Sequence, residues 1–208
     1  MVTRESGFTL TELLVALGIM GLMLAAAAGT LQVGLGSVQA SVDKADAQQN
    51  ARLALERMVQ EIRGAGYDPK AVPPTTYPFA AVAGRTATAL TLQNNFNGSV
   101  GGVLGNGLDP QGACDPLAPT AELVAYRLVG TELRRSTDPP THACQAVVMT
   151  GVSALTFSYL DADGGTVPLS ASSDGNVRSV VVSVIGRSTS GGTEYAVSMA
   201  DRVRLRNR

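Results

Sequence analysis

Nineteen consecutive residues without a formal charge, Leu13 to Leu31, constrain this chain more than any other feature in it. As a helix the run reaches about 28 Å, close to the hydrocarbon thickness of a bilayer. Glu12 stands at its start. A charge placed in hydrocarbon costs about 3 kcal/mol even on lenient insertion scales, so such a carboxylate needs a partner. A chain cut after Gly7 would supply one. The new amine on Phe8 would lie four residues from Glu12, one helical turn away. The pattern points to processing rather than ordinary secretion. The competing reading is a general signal peptide cut in the small-residue tract Ala25-Ala26-Ala27-Ala28. Against it stand a leader with one basic residue, Arg4, an acid at the apolar run, and a helical pattern that continues beyond.

The leader Met1-Val-Thr-Arg-Glu-Ser-Gly7, then Phe8, then Glu12 at the fifth position after the cut, then the apolar helix, together resemble the type IV prepilin signature. The resemblance implies that a prepilin peptidase cleaves between Gly7 and Phe8 and N-methylates Phe8. It implies that Glu12 meets the amino terminus of a neighbouring subunit during assembly. The segments Glu61-Ile-Arg-Gly-Ala-Gly-Tyr-Asp-Pro69, Leu155 to Gly164 and Val203 to Asn207 are similar to the PilW-type minor pilins. The minor pseudopilins of type II secretion systems, similar to the GspJ family, share the fold and leader and remain the alternative. The implied partners are the peptidase, other major and minor pilins through the N-terminal helix, the inner-membrane assembly platform, and lipid before assembly. The implied location is the inner membrane, single-pass with a cytoplasmic N-terminus, and then an extracellular or periplasmic filament. The implied fold is α+β, a long N-terminal helix packed on an antiparallel β-sheet.

Residue patterns divide the chain accordingly. Residues 1–7 are the leader, 8–36 the membrane or filament-core half of the helix, 37–64 an amphipathic half, and 65–208 a β-rich outer domain. Gly29, Gly34 and Gly36 weaken the helix where the two halves meet, and between filament neighbours this is where it would loosen. Ala25 and Gly29 form a small-xxx-small pair that admits a close helix neighbour. Ala51, Leu55, Met58, Val59 and Ile62 fall on one apolar stripe that requires a sheet over it. Gly64-Ala-Gly66, Asp68-Pro69 and Pro73-Pro74 end the helix.

Beyond it the spacing predicts strands over Thr88–Gln93, Leu123–Leu128, Thr131–Ser136, Val152–Leu160, Thr166–Leu169, Arg178–Ile185 and Tyr195–Leu205. The β-branched Arg178–Ile185 segment reads as central. Asn94 to Pro119 and the segment around Asp138-Pro-Pro140 read as irregular loops. Each carries one of the two cysteines, Cys114 and Cys144, and in an exported domain an even count favours a disulfide.

Chemistry-bearing constellations are sparse. Asp161 and Asp163 share a Gly-containing loop and are weak calcium candidates, although a hairpin turn explains the same residues without a metal. His142, the only histidine, reads as a solvated loop residue. Arg202, Arg204 and Arg206 alternate with Val203 and Leu205, which puts three guanidiniums on one strand face, more often a solvated sheet face than a contact for DNA phosphate, an anionic surface or a partner pilin. A net charge of −1 gives no support for polyanion binding from charge alone. No nucleophile, metal or phosphate-loop motif is present, so neither enzymatic activity nor a cofactor is expected. A membrane-anchored receptor or enzyme domain remains the reading from another functional class.

Overall fold

The computed structural model describes residues 7–69, 79–96, 114–118, 121–138, 141–190 and 193–207. Leader residues 1–6, Pro73-Pro74 and most of the Asn94–Pro119 loop therefore lie outside the described residues.

One helix, α1 (Leu10–Gly64), runs unbroken for 55 residues, about 82 Å at the helical rise. In this single chain Gly29 to Gly36 does not interrupt it. The helix begins on a capping box: Thr9 Oγ1 accepts the Glu12 backbone N–H (3.3 Å), and Glu12 Oε2 accepts the Thr9 N–H (3.2 Å). It ends at Ala65, and Gly66, in a left-handed conformation (φ 81°), turns the chain and donates its N–H to the Gln93 carbonyl.

Eight strands follow: β1 (Val82–Ala83), β2 (Ala89–Gln93), β3 (Leu123–Val129), β4 (Glu132–Ser136), β5 (Gln145–Met149), β6 (Val152–Leu160), β7 (Ser179–Ser190) and β8 (Thr193–Arg204). They form two antiparallel sheets, β1-β2-β3-β4-β5 and β6-β7-β8. The arrangement is α+β and consistent with the pilin fold, with the strands divided between two sheets. A hydrogen bond from Phe157 in β6 to the Ala87 carbonyl ahead of β2 stitches the sheets together (2.7 Å). The expected hairpin at Val129-Gly130 is present, with Gly130 at φ 60° and Val129 opposite Glu132. The segment 178–185 is central as expected, because β7 pairs with β6 on one side and β8 on the other.

Three strand expectations differ, the first being β1 (Val82–Ala83), a strand absent from the sequence reading. Thr166–Leu169 contributes only a bridge from Thr166 to Leu160. Pro168 has no N–H to donate, and its carbonyl is taken by the Arg85 guanidinium (3.0 Å) and the Ser173 hydroxyl (2.8 Å). The chain then enters a short 3₁₀ helix, Ala171–Asn176, instead of a sheet. Conversely, the loop carrying Cys144 leads straight into β5, which pairs with β4 through a register shift near Leu133.

The helix packs mainly on β7 and β8 and touches β5. Ala51, Ala54, Met58, Val59 and Ile62 are its buried face, with Leu55 only partly covered. Ala54 was not on the expected stripe. Its small methyl group suits a position of close helix–sheet packing, and Leu55 beside it is partly buried against the same core. These side chains join Leu155, Phe157, Tyr159, Val180, Val182 and Val184 in one core.

Candidate functional site

The first region is the start of α1. Phe8 is 85% exposed, and every residue from Gly7 to Gln39 is solvent-facing. The helix holds a long apolar stretch none of which is buried, so by length and composition it can cross a membrane. Glu12 is exposed, and its carboxylate also takes the Thr9 hydroxyl (3.0 Å). That local role went unread in the sequence, although Thr9-Leu-Thr-Glu12 carries the capping-box spacing openly. Phe8 lies one residue ahead of this cap, so an amine created there would stand at the positive end of the helix dipole, beside the one carboxylate of the first turn.

The second region is the far end of α1. Glu61 receives Arg135 Nε from β4 on both oxygens (3.0 and 3.1 Å) and the Tyr126 hydroxyl from β3 (2.7 Å). The Arg135 side chain is 1% exposed. Its remaining donors reach the carbonyls of Pro116 and Ala118. Arg57 donates to the Leu117 carbonyl (3.3 Å) and Thr137 Oγ1 to that of Asp115 (3.2 Å). Residues 115–118 therefore act as a row of carbonyls between helix and sheet. Cys114, bonded to Cys144 with Cα atoms 5.4 Å apart, anchors that row at its start. Burial, and then the Glu61 carboxylate, push the Tyr126 hydroxyl well above its usual 10, so it stays a donor.

Asn207 Nδ2 donates to the Gly64 carbonyl (2.8 Å) and the Arg206 N–H to that of Arg63 (3.1 Å), so the last residues of the chain close the helix terminus. Val203 and Leu205 point inward while Arg202, Arg204 and Arg206 point out, the expected alternation, with Arg206 lying just past the end of β8.

A second buried arginine, Arg85, bonds Asp174 (2.6 Å) and lies 4.8 Å over the Tyr159 ring. Burial raises the Tyr159 hydroxyl above its usual range, and it donates to the Thr86 and Ala89 carbonyls. Neither buried arginine is among the candidate residues read from the sequence. For Arg135 a signal existed: in Leu133-Arg134-Arg135 strict alternation sends Arg135 inward with Leu133. For Arg85 no local pattern marks it, because its partner Asp174 is 89 residues away.

Asp161 Oδ1 accepts the backbone N–H groups of Asp163 (3.0 Å) and Gly165 (2.7 Å), the hydrogen bonding of a turn. No group of three or more His, Cys, Asp or Glu side chains converges on a metal position among the described residues. His142 adopts a left-handed backbone (φ 55°), and its Nδ1 is buried without a partner. Burial, then Arg127, lowers its pKa below the usual 6.5, against an opposing effect of Asp138.

Residues 2–28 match the family described as the prokaryotic N-terminal methylation motif. No curated protein matches the chain. The matched segment, the bare apolar helix that continues it and the antiparallel β domain together support a type IV prepilin-like protein.

Proposed function

We propose that the chain is a minor pilin of PilW type, a non-enzymatic subunit that primes or caps a type IV pilus. The prepilin peptidase cuts it between Gly7 and Phe8 and methylates Phe8, and the assembly platform then draws it from the inner membrane into the filament. The observation that carries this reading is a solvent-bare apolar half-helix with an acid in its first turn, whose beginning lies within the methylation-motif match over residues 2–28. Membrane and filament core are both low-dielectric surroundings that reward the same side chains. Glu12, closed on Thr9 before the cut, gains the Phe8 amine of a neighbouring subunit after it. The neutralised pair sets register.

Two substitutions separate capping from charge. Glu12→Gln keeps a side chain that can close the capping box, and Glu12→Ala removes it. Both are expected to insert into the membrane normally and to be depleted from sheared filaments on immunoblots. Wild-type incorporation of Glu12→Gln would show that the charge is not needed. The same features suit a minor pseudopilin, and a deletion strain that keeps its pili but loses type II secretion would move the assignment there.

A further inference from the structure

At the Gly64 end of α1, about 80 Å along the rod from Leu10, a cleft of ≈ 930 Å³ opens between the helix and the first sheet. That volume lies in the range of ligand-binding clefts. Its floor is apolar, formed by Leu92, Ala121 and Val124. Its lip carries Tyr67 and Phe96, 42% and 40% exposed, with ring centroids 5.6 Å apart. The Tyr67 backbone is pinned on both sides, its N–H by Asn94 Oδ1 (3.3 Å) and its carbonyl by the Asn95 N–H (2.8 Å). The ring is therefore held out at little further entropic cost to binding.

The charges around the cleft do not balance. Three guanidiniums, Arg57, Arg135 and Arg206, line it against one carboxylate, Glu61. Glu61 is committed on both oxygens to Arg135 and Tyr126, and Arg135 is further satisfied by backbone carbonyls. Among the described residues Arg57 has a long contact to Glu61 (3.5 Å) and one carbonyl, and Arg206 is solvent-facing. The rim thus retains positive charge beside an apolar floor.

We propose that this cleft binds an extended segment of a partner protein that presents an aromatic or apolar side chain next to a carboxylate. The side chain enters between Tyr67 and Phe96 onto the apolar floor, and the carboxylate meets Arg206 and Arg57. Gln60, exposed on the rim, supplies an amide that can both donate to and accept from a peptide backbone. Nucleic acid fits less well. The two rings are tilted against each other by 32° and do not offer successive stacking faces, and the floor is apolar where a phosphate backbone needs a basic track. The binding is a property of the single subunit and does not depend on filament assembly.

The chain has no Trp, so Phe96→Trp in the full-length protein, held in dodecyl maltoside micelles, gives a single-site emission reporter at the lip. The probes are an acetylated, amidated aspartyl-phenylalanyl-aspartyl tripeptide, its lysyl-phenylalanyl-lysyl counterpart, and a ten-residue oligothymidylate. The acidic peptide is expected to shift the emission saturably and to bind about tenfold or more tighter than the basic one. Arg206→Glu should weaken it by about tenfold, and Arg206→Lys should recover part of the loss. Far-UV circular dichroism of both variants checks that the fold is intact. No saturable shift, equal affinity for the two peptides, preference for the oligothymidylate, or an unchanged affinity in folded Arg206→Glu would each overturn the proposal.

Discussion

From Leu10 to Leu35 every side chain of α1 faces solvent, whereas from Ala51 to Ile62 every third or fourth one is covered by β7 and β8. Hydropathy does not explain the contrast. The bare half is rich in Leu, Met and Val, and the covered face of the packed half is two Ala with one Met, one Val and one Ile. What differs is the neighbour. Small residues let the second half lie close to a sheet of the same chain, and their burial is complete within one molecule. The first half has no such sheet, so its apolar surface is written for surroundings that the chain does not itself provide, lipid or other helices. One continuous helix therefore has a half covered by its own chain and a bare half, and the stability of the β domain is expected to depend on the covered half alone.

That division can be broken most sharply at Arg135. Arg135→Ala leaves Glu61 without its main partner at a largely covered position, a loss of about 3–5 kcal/mol. Leu17→Ala, in the bare half, should leave the urea midpoint of the β domain in micelles unchanged. Equal shifts for the two would mean that the halves are energetically joined. Replacing both cysteines, Cys114→Ser with Cys144→Ser, opens a loop with a sequence separation of 30. The expected loss is about 3–4 kcal/mol on the chain-entropy model. Because residues 115–118 supply acceptors for Arg135 and Arg57, amide exchange should rise at Glu61 as well as near the cysteines. Exchange confined to the loop would uncouple the disulfide from the helix.

Ile62→Val probes the packed half more gently and should cost about 0.5–1.5 kcal/mol in the same urea titration. The smallest effect concerns His142, outside both halves. Its folded pKa lies below 6.5, so the unfolded state takes up the proton more readily. The stability held above that value is lost as pH falls. Between about pH 7.5 and about pH 5.5 the wild type should lose more stability than His142→Asn, a residue that tolerates the left-handed backbone at this position.

The helix was legible in the sequence from end to end, because charge-free length marks the first half and a 3.6-residue stripe the second. Its stop at Gly64-Ala-Gly66 was equally plain. The β domain was legible as strands but not as two sheets, since alternation in β2 or β6 names a buried face without naming the neighbour that buries it. β5 escaped notice because its five residues follow a proline-rich loop with no turn signal between them. Thr166–Leu169 looked like half a hairpin until the Pro168 carbonyl was claimed by Arg85, a partner 83 residues away in sequence. The cleft beside Tyr67 and Phe96 had no sequence signature at all. It exists because the helix end, β2, β3 and the last residues of the chain converge there, and only Gly66 and Asn207 among them carry a recognisable terminating role.

The proposed cut would turn Phe8 into the first residue of a membrane-embedded helix. Intact mass and amino-terminal sequencing of the protein purified from its native membranes test this directly. A chain beginning at Phe8 with one added methyl group on the amine is the predicted result. A chain that still begins at Met1, or that begins in the alanine tract near Ala28, would contradict it.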